Sequence, residues 1–560
     1  MGVRALFRTL HSEVRGLHEA AYVLAAFTLA AQIAALVRDR VFAHTFGAGE
    51  TLDLFYAAFR VPDMLYAILA SAVSLFVLIP FLEEAAKEGS AATRRLVSEL
   101  FTVFSLALIV LGGLCALFAP QLVSLVYAGF DPVAQAALAP VIQVLLLQPL
   151  ILGVSNLFAA YVQVRGRFLL YATAPVLYNI GIIVGALLFY PSLGIIGLAL
   201  GVLLGALLHV GVQTPFMVRE GMLPTLVWPD FGTVSKVVRV SIPRTITLSA
   251  QQLVLFVLIA MASFFAAGSI ASFTFAWNLQ SVPLALFGVS YSVAAFPTLA
   301  RLFGNGAHAE YSALIATAAK QIIFWGALVS GLLIVLRAHI VRVLLGSGAF
   351  DWHATMMTAA VFALLGASLI AQGLVVLLVR AFYAAGKTLV PLMISLIASA
   401  TTIGLAFGLL SARAQGLFDA DALAAFLRVS NVPGSELLLL AIAYSTGLTV
   451  QMFLLLLMMH HHAPGFLRAL TLPSLRALLA GFVGALVAYG ALQLFVGATA
   501  LPSTTLGILL QGAAAGLLGI LAWLLVHAVL KSEELLTVQR TLGKHLKKHV
   551  AILRGSVEGV

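Results

Sequence analysis

Long apolar runs recur along the whole chain, and no other feature restricts its fold as much. Fourteen are read, at about 19–38, 54–82, 98–118, 135–162, 169–190, 193–218, 241–267, 271–300, 317–345, 354–384, 388–411, 435–459, 474–496 and 504–530. Each reaches the roughly 20 residues that carry a helix across the hydrocarbon core of a bilayer. A β-barrel is excluded, because the runs are continuous rather than alternating and far longer than a barrel strand. Only helices then satisfy the backbone in lipid. Composition agrees. Hydrophobic residues make up 62% of the chain and charged residues 9%, whereas soluble domains are about 25% charged and disordered chains have low hydrophobicity. The single cysteine, Cys115, excludes an intramolecular disulfide and a thiolate metal cluster.

The expected fold is an all-α polytopic membrane protein with about 14 transmembrane helices. The basic residues orient it. With a cytoplasmic N-terminus, 23 of the 31 Lys and Arg residues fall in inside segments, among them Arg4, Arg8, Arg15, Lys87, Arg165, Arg301, Lys387 and Lys531. Outside loops keep 5: Arg40, Arg337, Arg342, Arg413 and Arg428. That asymmetry is the positive-inside rule, so both termini are expected in the cytoplasm. The net charge of +10 follows from topology, and no nucleic-acid partner is expected. The run from Ala20 to Val37 is longer than a usual signal-peptide core of about 7–15 residues and reads as a retained first helix. The tail after Val529 reads as a basic amphipathic segment, a solvated or membrane-surface helix.

The two halves echo each other. Gly129-Phe130-Asp131 precedes span four and Gly348-Ala349-Phe350-Asp351 precedes span ten; Pro175 answers Pro391, and Pro80 answers Pro297. The offsets are 219, 216 and 217 residues. Six spans separate equivalent points, so the halves share one orientation, as in transporters built from parallel repeats about an axis along the membrane normal. The expected organisation is an N-lobe over 1–219, a C-lobe over 220–459, two extra helices over 460–530 and a basic tail over 531–560.

Charge inside a span is expensive and marks function by default. It gathers in the first two spans. Arg38, Asp39 and Arg40 close span one, with Gln32 seven residues earlier on the face of Asp39. Asp53, Tyr56, Arg60 and Asp63 share one helical face, and Arg60 and Asp63 can pair at i,i+3. Arg244, Thr247 and Gln251 stripe span seven, and Asn278 and Gln280 bring polarity to span eight. The candidate substrate-binding residues are Arg38, Asp39, Gln32, Asp53, Arg60, Arg244, Gln251, Asn278 and Gln280; for several of them a purely interhelical hydrogen-bonding role is the competing reading. Pro62, Pro80, Pro283 and Pro297 can break these helices. His460-His461-His462 has no Cys or acidic neighbour and is not expected to hold a metal. No nucleophile or paired-acid pattern suggests an enzyme.

One set of motifs is specific. Arg38-Asp39 with Phe46-Gly47-Ala48-Gly49, then Asp53 and the stretch from Phe55 to Pro62, resembles the opening of the MurJ/MviN lipid II flippase family. Ile242-Pro243-Arg244-Thr245, Phe296-Pro297-Thr298-Leu299 and the stretch from Arg380 to Thr388 with Pro391 resemble later parts of the same family. The resemblance implies two six-helix lobes, a cationic central cavity, and a lipid groove made with the last two helices. It implies movement of a polyprenyl-pyrophosphate-linked disaccharide-pentapeptide across a bacterial inner membrane, driven by membrane potential or a coupling ion and without a bound cofactor. Its implied partners are membrane lipids, the polyprenyl-linked glycan and proteins of cell-wall synthesis. This chain departs from the family at three cavity arginines, where it carries Gln32, Tyr66 and an uncharged position near Asn278. Three readings therefore stand beside the lipid II flippase: a flippase for another polyprenyl-linked glycan, a drug exporter of the same superfamily, and a non-transporting scaffold for cell-wall synthesis.

Overall fold

A computed structural model describes residues 17–70, 75–463, 465–498 and 504–540. Arg4, Arg8, Arg15, Lys544, Lys547, Lys548 and Arg554, all used in the orientation argument, lie outside the described residues, as does part of the second expected span. Every regular element among the described residues is helical. The helices used below are α1 (Leu17–Phe46), α2 (Glu50–Ala58), α3 (Arg60–Ala70), α4 (Leu75–Glu88), α5 (Ser90–Leu117), α6 (Ala119–Val126), α7 (Pro132–Leu145), α8 (Leu147–Val164), α9 (Phe168–Val184), α10 (Ile195–Gly211) and α11 (Phe231–Ala262). They are followed by α12 (Ser269–Pro283), α13 (Ser290–Gly304), α14 (His308–Leu345), α15 (Trp352–Ala367), α16 (Leu369–Ala384), α17 (Leu389–Ala414), α18 (Leu437–His462), α19 (Phe466–Ala498) and α20 (Thr505–Val529).

Eleven helices among the described residues are long and apolar enough to cross a membrane, and the bent pair α15–α16, with 46° between its halves, makes a twelfth span. The first two expected spans fall on α1 and on α2–α4. The polytopic all-α expectation therefore holds. The outward-facing leucines support it: Leu188 is 67% exposed and Leu525 65% exposed, a disposition suited to lipid and costly in water.

The chain divides into two compact units. Unit 1 comprises Met1–Asn278, Leu344–Thr358 and Ser395–Ala443; unit 2 comprises Leu279–Val343, Ala359–Ile394 and Tyr444–Val560. Helix association in lipid relies on close van der Waals contact, because lipid tails are as apolar as the side chains. In unit 1, α9 and the π-helical turn that continues it over Gly185–Phe189 meet α10 through glycines four residues apart: a Cβ placed on Gly181 would lie 2.3 Å from Gly205 Cα, and one on Gly185 would lie 2.5 Å from Gly201 Cα. In unit 2, α19 and α20 meet at Gly484 and Gly519, and Gly481 sits against the Ala327 backbone of α14. Trp523 of α20 is buried against Phe324 and Trp325 of α14, with ring centroids 4.6 and 5.7 Å away.

The echo between the halves has a local structural counterpart. Asp131 accepts the Ala134 N–H at 2.8 Å and Asp351 accepts the Ala354 N–H at 2.7 Å, so each begins the following helix as its N-cap. The prolines act unequally. Helices α2 and α3 are separated at Phe59 ahead of Pro62, although Phe59 itself stays helical at φ −67° and ψ −25°, and π-helical turns over Leu284–Val289 follow Pro283. Helices α4 and α13 continue through Pro80 and Pro297.

Candidate functional site

The site begins near the C-terminal end of α1. Asp39 is 1% exposed, buried by α1 itself and its neighbours. Arg38 folds back onto it: Nε donates to Asp39 Oδ1 at 3.0 Å and Nη2 donates to the same oxygen at 2.7 Å. The Arg38 side chain keeps 19% of its surface exposed, and Nη1 donates to Asn179 Oδ1 at 3.1 Å. Asn179 stands one turn after Pro175 in α9 and donates its own amide to the Pro175 carbonyl at 3.0 Å. The second Asp39 oxygen accepts the Asn278 amide at 3.0 Å. The result is a four-residue network within unit 1.

A guanidinium has five N–H donors. Among the described residues, Arg38 engages three. Its remaining donors form part of the planar fork that matches phosphate oxygens. Asp39 neutralises its charge, so the cluster can hold an anion by directed hydrogen bonds more than by bulk charge.

Asp53 lies elsewhere in unit 1 and does different work. Both its oxygens receive backbone amides, Gly268 N–H at 2.6 Å and Ala271 N–H at 2.7 Å. A buried carboxylate thus caps the N-terminus of α12, where unsatisfied amides and the helix dipole favour negative charge. Arg60 and Asp63 form the expected i,i+3 pair at a long 3.9 Å. Phe59, between α2 and α3, keeps a helical φ of −67° and ψ of −25°, and Tyr56 lies within electrostatic reach of both Asp53 and Arg60, so the face running through 53, 56, 60 and 63 continues across the α2–α3 junction. Tyr56 is buried in an aromatic cluster, its ring centroid 6.1 Å from that of Phe275.

The other candidates are dispersed. Gln32 is half-buried on α1, two turns before Asp39. Thr247 is buried and Gln251 exposed on α11. Arg244 lies on the same helix, and its side chain falls outside the described residues. Gln280 belongs to unit 2, is 2% exposed, and accepts the Gln372 amide at 3.0 Å; Gln372 also donates to Ser368 Oγ. Tyr66 receives a hydrogen bond from the Asn156 amide.

Fold and site together define a polytopic α-helical membrane protein with the architecture of a transporter. The solved structure titled "Lipid II flippase MurJ, inward closed conformation" superposes with a TM-score of 0.71 at 19% identity, covering 91% of this chain and 98% of that one. An inward-facing multidrug resistance MATE family transporter of the MOP superfamily superposes at 0.60 and 14% identity, covering 79% and 95%. The signature of the family described as "Lipid II flippase MurJ" matches residues 42–510, and the chain belongs to that family. The Burkholderia cenocepacia protein named "Lipid II flippase MurJ" is 28% identical over 390 residues, covering 68% of this chain and 76% of its own length. The Haemophilus influenzae "Probable lipid II flippase MurJ" is 28% identical over 425 residues, covering 71% and 82%.

Proposed function

We propose that this chain moves lipid II, a polyprenyl-pyrophosphate-linked peptidoglycan precursor, from the inner to the outer leaflet of a bacterial inner membrane. The observation that carries the reading is the Arg38 guanidinium, half-buried in a membrane protein of this family with donors left for an anion. Arg38 receives the pyrophosphate. Asp39, Asn179 and Asn278 fix the direction of its donors. Arg60 and Arg244 add positive charge, Gln32 and Gln251 offer neutral hydrogen bonds to sugar or peptide, and Asp53 holds the start of α12. The lobes 1–219 and 220–459 alternate access by rocking about the repeat axis, with the helices of 460–530 guiding the lipid tail. Membrane potential or a coupling ion supplies the drive. Both termini face the cytoplasm.

The test is complementation. This protein is expressed in cells depleted of their own lipid II flippase, and outer-leaflet lipid II is measured. Rescue by the wild type, lost in Arg38→Ala at equal abundance, is the expected result. Rescue that survives Arg38→Ala removes Arg38 from the mechanism. The neutral residues at Gln32, Tyr66 and Asn278 favour one second reading, a different polyprenyl-linked glycan. Failure of rescue by a folded, abundant wild type would select it.

A further inference from the structure

Unit 2 contains a cavity of about 590 Å3 at one end of its helices. Three interhelical junctions gather there: α13 to α14, α16 to α17, and α18 to α19. Its lining includes Phe303, Phe382 and Met459 as apolar wall and His308, Lys387 and His462 as basic rim. None of the lining residues is acidic; Glu310, exposed in the first turn of α14, is not among them. The volume is within the roughly 300–1,000 Å3 typical of small-molecule sites.

We propose that this cavity binds the phosphate headgroup of an anionic glycerophospholipid. Several independent features converge on an anion. The cavity opens onto the first turn of α14, a 38-residue helix, and helix N-termini favour negative charge. Lys387 is half-buried and its backbone is fixed by an N–H donated to the Phe382 carbonyl at 2.9 Å. His462 has its Nδ1 engaged by the Met458 carbonyl at 2.7 Å. A carbonyl only accepts, so Nδ1 carries the proton, and Nε2 donates to an anion when the ring takes up a second proton. The frame is firm as well: Tyr311 donates to the Ala381 carbonyl at 2.7 Å, tying the start of α14 to the end of α16.

The apolar wall selects a lipid over free phosphate. Phe303 packs edge-on to His308 at 5.1 Å, and Phe382 packs edge-on to His462 at 5.8 Å. Phe382 is 1% exposed and closes the wall behind His462; Phe303, half-buried beside His308, is the aromatic surface that glycerol and the first acyl carbons can cover. The junctions of membrane-spanning helices lie at headgroup depth, and basic pockets between such helices are suited to anionic lipid headgroups. The site is distinct from the Arg38 network, which belongs to unit 1, and does not depend on which substrate the protein moves.

Native mass spectrometry of the purified full-length protein tests this. The protein is titrated with phosphatidylglycerol or with phosphatidylcholine of the same acyl chains. The wild type should bind one phosphatidylglycerol roughly fivefold or more tightly than phosphatidylcholine. The preference should vanish in Lys387→Gln/His462→Gln and persist in Lys387→Arg. Equal binding of the two lipids by the wild type overturns the proposal, as does an undiminished preference in the double variant. Displacement of phosphatidylglycerol by equimolar glycerol phosphate also overturns it, by assigning the cavity to a soluble phosphate. If the double variant does not fold, the wild-type lipid comparison and His462→Gln alone, a change at an exposed side chain, decide the matter.

Discussion

Arg38 and Asp39 are neighbours in sequence that also clasp each other in space, with Arg38 Nη2 2.7 Å from Asp39 Oδ1. Consecutive residues on a helix point about 100° apart, so the guanidinium must bend back along α1 to reach the carboxylate. The carboxylate is buried and the guanidinium only partly so. Removing the acid alone leaves a cation without its counter-charge, and breaking one side of a buried pair costs about 3–5 kcal/mol. Asp39→Asn is expected to lower stability toward the small end of that range, because the remaining exposure of Arg38 admits water. Thermal unfolding in a fixed detergent, against Arg38→Ala/Asp39→Asn, measures it. The double variant should be more stable than Asp39→Asn alone.

Asp53 offers a sharper separation between folding and transport. Its carboxylate accepts two backbone amides at the start of α12. Asp53→Ala should destabilise the protein by about 1–3 kcal/mol, the usual loss when hydrogen bonds to a charged group are removed. Asp53→Asn keeps one good acceptor and should fall between the two. If both variants unfold like the wild type, capping is not what Asp53 contributes.

The parts legible in the sequence were those where membrane burial makes a residue expensive. Charges in apolar runs are rare for energetic reasons, so Arg38, Asp39, Arg60 and Asp63 stood out, and the i,i+3 spacing foretold the Arg60–Asp63 pair. The spans were legible because backbone groups in lipid require unbroken helices. The cap on α12 was not legible, since Asp53 reaches an amide 215 residues away and no local pattern encodes such a meeting. Asn179 was missed for a related reason. A single asparagine in an apolar helix usually serves interhelical contact; the available signal was its position one turn after Pro175 in an otherwise apolar run.

The Phe46-Gly47-Ala48-Gly49 motif has a backbone explanation. Gly47 has φ +66°, and a Cβ there would stand 2.5 Å from the Ala349 carbonyl oxygen. Ala349 in turn donates its N–H to the His44 carbonyl at 2.9 Å. Gly47→Ala should therefore cost more than the roughly 1–2 kcal/mol of a left-handed conformation alone. Gly49→Ala, at an extended φ of −142° with no contact tighter than 3.5 Å, should be tolerated. Melting temperatures of the two variants compare them directly.

Orientation is testable by cysteine accessibility. In a Cys115→Ala background, Asn305→Cys should resist a membrane-impermeant thiol reagent added from outside, and Gln415→Cys should react. These exposed positions avoid Gly306 and Gly416, whose φ values of +74° and +70° a cysteine would strain. The opposite labelling pattern would reverse the topology and remove the basis for cytoplasmic termini.

Asn179 gives the most discriminating test of how the guanidinium is aimed. It touches Arg38 through Oδ1 and its own helix through Nδ2, so it orients the guanidinium without changing the charge of the network. Asn179→Leu leaves Arg38 paired with Asp39 but free to turn about that contact. Stability should change little, because the Arg38–Asp39 ion pair and the buried face of α9 persist. Transport should fall by a factor of roughly 5–30, the equivalent of losing 1–2 kcal/mol of orientation. Asn179→Asp makes the opposite change, adding a second carboxylate that draws on the donors otherwise offered to a pyrophosphate. It should impair transport at least as much as Asn179→Leu while preserving or raising the melting temperature. Measuring outer-leaflet lipid II and thermal stability for both variants separates the two effects. Full transport by Asn179→Asp would mean that the unengaged donors of Arg38 do not meet the anion.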